Sequence, residues 1–92
     1  MSERKATIAS RVGLHARPAS IFAAAVGELP IEVTIALETS PVEDAMDASS
    51  ILSLMSLGAA NGDVVVLRAE GDGAVEALEA LVKILETDLD AE

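Results

Sequence analysis

The chain has 92 residues, enough for one compact domain, and we expect a single domain spanning residues 1–92. A net charge of −10 argues against a general nucleic-acid-binding function, because such proteins need a basic surface to replace counterions. With no cysteine and one histidine, the chain lacks the side chains for a disulfide framework or a common zinc site, so we expect no metal and no cofactor.

The first two predicted elements are a strand and a helix. Residues 5–9 alternate in a way that predicts a short strand, with Ala6 and Ile8 on its apolar face. Apolar side chains at three- and four-residue spacings predict a helix over residues 16–26. Gly27 is a suitable C-terminal cap in the left-handed conformation, and Pro30 prevents the helix from continuing.

The clearest strand signal covers residues 31–38. Ile31, Val33, Ile35 and Leu37 alternate with Glu32, Thr34, Ala36 and Glu38, the pattern of a sheet with one buried face. A turn at residues 39–41 is followed by an acidic returning strand, predicted over residues 42–46.

The last third of the chain predicts a helix, a strand and a helix. Ser49 or Ser50 can cap a short helix that runs to Leu57 and stops at Gly58. After an Asn-Gly turn at residues 61–62, residues 63–69 form a β-branched strand. Residues 74–89 predict a helix with an apolar stripe formed by Val75, Leu78, Val82, Leu85 and Leu89.

The element order is therefore β-α-β-β-α-β-α, and the apolar faces of these elements predict a two-layer α+β sandwich. One face of the sheet is expected to carry the helices, and the other to meet water. Because no apolar run is long enough to span a bilayer and the first residues lack a signal-peptide apolar region, we expect a soluble cytoplasmic protein.

Charge is unevenly distributed along the sequence. Residues 4–27 contain four cations and no carboxylate, a net charge of +4, whereas the rest of the chain carries −14. A stretch kept free of carboxylates in an acidic protein is consistent with an anion-binding site, although chance composition in a short segment is an alternative.

That stretch contains the single histidine, His15, in the sequence GLHARPA. Pro18 is tolerated only in the first turn of a helix, which places the helix start within a residue or two of His15. Unpaired backbone N–H groups there, together with the guanidinium of Arg17, are suited to bind phosphate oxygens. Neutral imidazole is a nucleophile near neutral pH, so His15 can accept a phosphoryl group that Arg17 and the helix end neutralise. A merely exposed or capping histidine is the alternative.

Residues 13–20, GLHARPAS, resemble the active-site signature of the HPr family, the histidine-containing phosphocarrier proteins of the bacterial sugar phosphotransferase system. Residues 50–58, SILSLMSLG, resemble the segment around that family's regulatory serine. The resemblance extends over essentially the whole chain. It implies an open-faced β-sandwich, with a four-stranded antiparallel sheet and three helices on one face.

The resemblance also implies a function. His15 would be phosphorylated on Nδ1 by enzyme I, which is charged from phosphoenolpyruvate, and the group would pass to IIA domains of sugar permeases. Arg17 would be the charge partner of the phosphate. Such a carrier is phosphorylated stoichiometrically, so whether it counts as an enzyme by itself is left open. A monomer that neither binds nucleic acid nor inserts into the membrane is expected.

Further site residues follow from the same resemblance, which implies a partner-docking surface formed by Ala16, Ser20, Ile51, Leu52 and Met55. Ser50 matches the serine that a kinase phosphorylates in some family branches, although helix capping also explains it. Two positions depart from the family pattern. Ser49 replaces a lysine often found there, and Val12 replaces a small polar residue that can cap the first helix.

Three alternatives remain at this point. An HPr-like carrier can serve a parallel relay that governs nitrogen metabolism or dihydroxyacetone phosphorylation. A non-carrier regulatory module of the family works by binding, but the known type lacks the histidine. An acyl-carrier-like protein would fit the acidity and size, but such proteins are helical bundles, and the alternation at residues 31–38 argues against one.

Overall fold

The computed structural model describes residues 2–11, 13, 14 and 16–87, with the backbone alone at Ala16 and Val42. Its strands are β1 (Ser2–Thr7), β2 (Val33–Leu37), β3 (Met46–Asp47) and β4 (Val64–Ala69). Its helices are α1 (Ala16–Gly27), α2 (Ile51–Leu57) and α3 (Ala74–Leu85), and a short 3-10 turn spans Val42–Asp44. The predicted order of strands and helices is confirmed.

The four strands form one antiparallel sheet in the order β1-β4-β2-β3. β4 lies between β1 and β2, so Leu67 pairs with Arg4 on one side and with Ile35 on the other. Three helices on one face and an open opposite face confirm the α+β open-faced sandwich and exclude the acyl-carrier-like helical bundle. Within the described residues, no helix combines the length and apolar character needed to cross a bilayer.

The hydrophobic core lies between the inner face of the sheet and the helices. Val33 and Ile35 are buried there, as the alternation predicted, and Phe22 on α1 is the only aromatic residue of the chain. Aliphatic side chains supply the rest, with Leu54 from α2, Leu67 from β4 and Leu78 from α3 all fully buried. Burial of these side chains fixes which face each helix turns to the sheet.

The outer face of the sheet carries ion pairs. Arg68 Nε lies 2.9 Å from Glu3 Oε1, and Lys5 Nζ lies 2.8 Å from Glu38 Oε2. The hydrogen bond and the charge of Glu38 raise the pKa of Lys5. Ala36 is only 1% exposed although it lies on this face, because its small side chain sits on an interior strand among larger neighbours.

Three strand predictions differ from the structure, and β2 is the smallest case, because it spans Val33–Leu37 and not the whole of residues 31–38. Residues 42–46 are not a continuous strand, because a 3-10 turn with Asp44 N donating to Pro41 O at 3.0 Å occupies most of it. Only Met46–Asp47 pairs with β2. β1 begins and ends earlier than predicted, since its pairing with β4 stops at Thr7. Local alternation cannot reveal where a partner strand ends.

Two helix ends also differ. Gly27 is the last residue of α1 and is not among the glycines with positive φ, so the predicted left-handed cap is wrong. The helix instead tightens, with Leu29 N donating to Val26 O at 3.0 Å before Pro30.

α3 ends at Leu85, short of the predicted Leu89, which lies outside the described residues. Thr87 Oγ1 donates to Lys83 O at 2.7 Å and occupies one of the last helical carbonyls. The buried residues of α3 are Ala74, Leu78, Leu81 and Leu85. The predicted apolar stripe is therefore wrong at Val75, which is 39% exposed.

Replacing Phe22 with alanine should lower the free energy of unfolding by about 3–5 kcal/mol, because a fully buried aromatic side chain would leave a cavity. Urea denaturation followed by circular dichroism measures the change. Val75→Ala removes an apolar side chain from the surface and should cost less than about 1 kcal/mol. Equal losses in the two variants would contradict the assignment of Phe22 to the core.

Candidate functional site

The start of α1 is where the sequence predicted an anion-binding site. The helix begins at Ala16, the residue that follows His15, and Pro18 lies buried in its first turn. The predicted helix start is confirmed. Arg17 is exposed on this turn, which contains no acidic residue, and Ser20 is exposed directly after it. The first N–H groups of a helix have no partner within it, so this turn presents positive partial charge.

His15 and Val12 lie outside the described residues, as does the side chain of Ala16. The roles of His15 and Ala16, and the effect of Val12 on the helix cap, therefore stay predictions.

Gly13 explains how the chain approaches this helix. Its φ of +74° is the left-handed conformation, and a Cβ at this position would lie 2.5 Å from Ala59 O and 2.9 Å from Ala60 Cα. Both neighbours are backbone atoms that cannot move aside like the end of a side chain. Only glycine fits here, because both the close approach to backbone atoms and the left-handed φ exclude a Cβ atom.

Leu14 continues the same contact. Its N–H donates to Ala59 O at 2.9 Å, and its side chain is 3% exposed. The residue before His15 is therefore held to the chain segment that follows α2. Sequence reasoning missed this contact, because nothing in the local pattern relates residues 13–14 to residues 59–60.

α2 packs against α1, and the segment that follows α2 is hydrogen-bonded to Leu14 at the entry to α1. Its N-cap is Ser50, whose Oγ accepts a hydrogen bond from Ser53 N at 3.3 Å, and Gly58 is a left-handed C-cap with φ of 74°. Both capping predictions are confirmed, and the choice between Ser49 and Ser50 falls on Ser50. Phosphorylation of Ser50 stays a prediction.

Part of the apolar surface of α2 faces solvent. Leu52 is 81% exposed and Ile51 43% exposed, Met55 is half-buried, whereas Leu54 and Leu57 belong to the core. Exposed aliphatic side chains grouped on one short helix are typical of a contact surface for another molecule.

Asp47 organises the turn that enters α2. Its Oδ1 accepts hydrogen bonds from Ser49 Oγ at 2.7 Å and from Ser49 N at 2.9 Å. These hydrogen bonds lower the pKa of the Asp47 carboxyl, and the one from the Ser49 side chain has the larger effect. Ser49, one of the two residues at which the chain departs from the family pattern, thus has a structural role.

The described residues contain no group of three or more side chains suited to hold a metal ion. What the site offers is a helix start, an exposed guanidinium and an adjacent apolar surface, which suits the transient exchange of an anionic group between proteins.

Comparison with known proteins identifies the family. The family model described as PTS HPr component phosphorylation site matches residues 2–87. The chain belongs to the HPr family of phosphocarrier proteins of the phosphotransferase system.

Individual relatives align with nearly all of this HPr-family chain. The phosphocarrier protein HPr of Streptomyces coelicolor is 42% identical over 91 residues, which cover 98% of this chain and 94% of the relative. The HPr-like protein Crh of Halalkalibacterium halodurans is 33% identical over 88 residues, which cover 96% of this chain and 100% of the relative. The crystal structure of HPr-C-His from Thermoanaerobacter tengcongensis matches with a TM-score of 0.86 and 36% identity, covering 100% of this chain and 99% of the other.

The hydrogen bonds of Asp47 lead to a pH prediction. Because its pKa is lowered on folding, Asp47 contributes stability above its unfolded pKa of about 3.9, and this contribution is lost as pH falls through the folded pKa. In Ser49→Ala the Asp47 pKa should rise toward its ordinary value, because the side-chain hydrogen bond is lost, as measured by NMR titration of the carboxyl carbon. Ser56→Ala, whose hydroxyl bonds to Ser53 O, is the control and should leave the Asp47 pKa unchanged. An unchanged pKa in Ser49→Ala would contradict the assigned cause.

Proposed function

We propose that this phosphocarrier accepts a phosphoryl group on His15 from enzyme I, charged by phosphoenolpyruvate, and passes it to IIA domains of sugar permeases. The observation that carries the proposal is the match to the HPr family model across residues 2–87, with α1 beginning directly after His15 in the sequence. The acceptor belongs on Nδ1, as the family resemblance implies.

The chemistry asked of the chain is small. A neutral imidazole nitrogen donates its lone pair to phosphorus while the bond between phosphorus and the donor protein breaks, and the reverse exchange occurs with the next acceptor. Phosphoryl transfer needs mainly in-line positioning and neutralisation of the equatorial oxygens. We assign that neutralisation to the N–H groups of the first turn of α1 and to Arg17. The start of α1 at Ala16 and the exposure of Arg17 support this assignment.

Partner docking is assigned to the surface that combines Ala16 and Ser20 on α1 with Ile51, Leu52 and Met55 on α2. The exposure of Leu52 and Ile51, and the packing of α2 against α1, support this assignment. A carrier must release each partner after transfer, so a small apolar contact is more suitable than an extensive one. We propose that the chain works as a monomer in the cytoplasm.

Two other functions within the family make different predictions. A carrier for a nitrogen or dihydroxyacetone relay would be charged by a different enzyme I, so labelling with each cognate enzyme I discriminates it. A regulatory module that works by binding alone needs no phosphorylatable histidine, whereas this chain retains His15 within the full GLHARPAS motif.

Incubation with phosphoenolpyruvate and a cognate enzyme I should add one phosphoryl group that is labile in acid and stable in base, as expected for phosphorus bound to nitrogen. His15→Ala should take up none, as measured by intact mass spectrometry. Ser50→Ala is the control and should be labelled like the natural chain. Acid-labile labelling that survives in His15→Ala would refute the site.

Arg17→Ala should still be labelled, but about tenfold more slowly, because the transferred phosphoryl group loses a cationic neighbour. Arg17→Lys keeps the charge without the planar fork, so its labelling rate should lie between those of the natural chain and of Arg17→Ala. Rapid-quench kinetics measure the rates.

Arg4→Ala is the matched control for Arg17. Arg4 belongs to the same carboxylate-free stretch, but its guanidinium lies 3.8 Å from Glu79 on α3. The labelling rate of this variant should be that of the natural chain. A rate unaffected by Arg17→Ala would remove the arginine from the phosphate site.

A further inference from the structure

Two connections of the chain lie against each other beside the start of α1. The β1–α1 connection, residues 8–15, is described at residues 8–11, 13 and 14, and the α2–β4 connection comprises residues 58–63. Ile8 N donates to Asp63 O at 2.9 Å, and Gly62 N donates to Ile8 O at 2.8 Å. With the bond from Leu14 to Ala59, three backbone hydrogen bonds join the described parts of the two connections.

Asn61, although exposed, adds a side-chain contact to this junction. Its Nδ2 donates to Ala9 O at 3.0 Å and to Ser10 O at 3.2 Å. Both partners are carbonyl acceptors, so only the NH₂ end of the amide can occupy this position. The two carbonyls are those at which the chain leaves β1 and turns toward α1.

The turn that Asn61 contacts leads directly to Gly13. Gly13 N donates to the same Ser10 carbonyl at 2.9 Å, so this oxygen accepts one bond from within the turn and one from the other connection. Ser10 is 3% exposed, and its position is therefore set by packing as well as by hydrogen bonds. Asn61, which belongs to the other connection, thus stabilises this turn by donating to the Ser10 carbonyl oxygen.

We infer that Asn61 is a positioning residue for phosphoryl transfer, holding the β1–α1 connection in register with α2, an inference that rests on the proposed function. The α2–β4 connection starts at the Gly58 cap of α2, so it links the proposed docking residues Ile51 and Leu52 to the segment that enters α1. A partner bound to α2 then meets the segment that enters α1 at a fixed distance and angle. Small errors in such geometry slow transfer strongly.

The test compares Asn61→Ala and Asn61→Leu, which remove both donated hydrogen bonds, the second with the side-chain size retained. With enzyme I as the phosphoryl donor, kcat should fall about tenfold while KM for the chain stays within about twofold, because the docking residues are untouched. Leu52→Ala should have the opposite effect, a raised KM with kcat preserved. An unchanged kcat, or a change in KM alone, would overturn the positioning role.

Ile35→Val separates positioning from a general loss of stability. Ile35 is fully buried on β2, so this variant should lower the melting temperature without changing either kinetic constant. If Ile35→Val also lowers kcat when its stability is comparable to that of Asn61→Ala, the effect at Asn61 is not positional and the inference is wrong.

Hydrogen exchange tests the contact independently of phosphoryl transfer. The amides of Gly13 and Leu14 should exchange about tenfold faster in Asn61→Ala than in the natural chain, while the Leu67 amide in β4 changes less. Failure of the natural chain to take up phosphate would remove the carrier function but leave this measurement decisive for the role of Asn61. Unchanged exchange at Gly13 and Leu14 would overturn it.

Discussion

The antiparallel pairing of β1 with β4 is the constraint on which the candidate site depends. In this register Thr7, the last residue of β1, lies opposite Val64, the first residue of β4. The chain leaving β1 therefore runs beside the chain entering β4, although Ala9 and Asn61 are 52 residues apart in sequence. Backbone hydrogen bonds between these connections, and a glycine at the closest approach, then determine how the chain enters α1.

The ion pairs of β1 refine the argument from charge. Of the four cations in the carboxylate-free stretch, Arg4 pairs with Glu79 and Lys5 pairs with Glu38. Both belong to β1 and serve the sheet and α3. The net charge of +4 therefore overstates the positive charge around the start of α1, where Arg11 and Arg17 are the cations that the connection and the helix contribute. A count of charges along the sequence indicates an anion-binding site only after the fold shows which of the charged residues lie near that site.

α2 combines local signals that the sequence carries clearly with an exposure that it does not. Ser50 and Gly58 satisfy the helix ends through short-range hydrogen bonding and a permissive backbone, and both roles can be read from neighbouring residues. Which apolar residues of this helix remain outside depends on how it lies against α1 and the sheet. Leu52 and Leu54 are both leucines two positions apart, yet one is 81% exposed and the other fully buried.

Local chemistry and periodicity were sufficient to predict the element order, the helix that begins after His15, and the caps of α2, because each depends on contacts within a few residues. The extent of β1 and β3, the end of α3 and the buried face of α3 required the structure, because partner strands and packing set them. The junction of Gly13, Ala59 and Asn61 was also inaccessible to pattern analysis. In the sequence Asn61 is half of an Asn-Gly turn, and only the tertiary fold brings its amide to the carbonyls of Ala9 and Ser10, which lie 52 and 51 residues earlier.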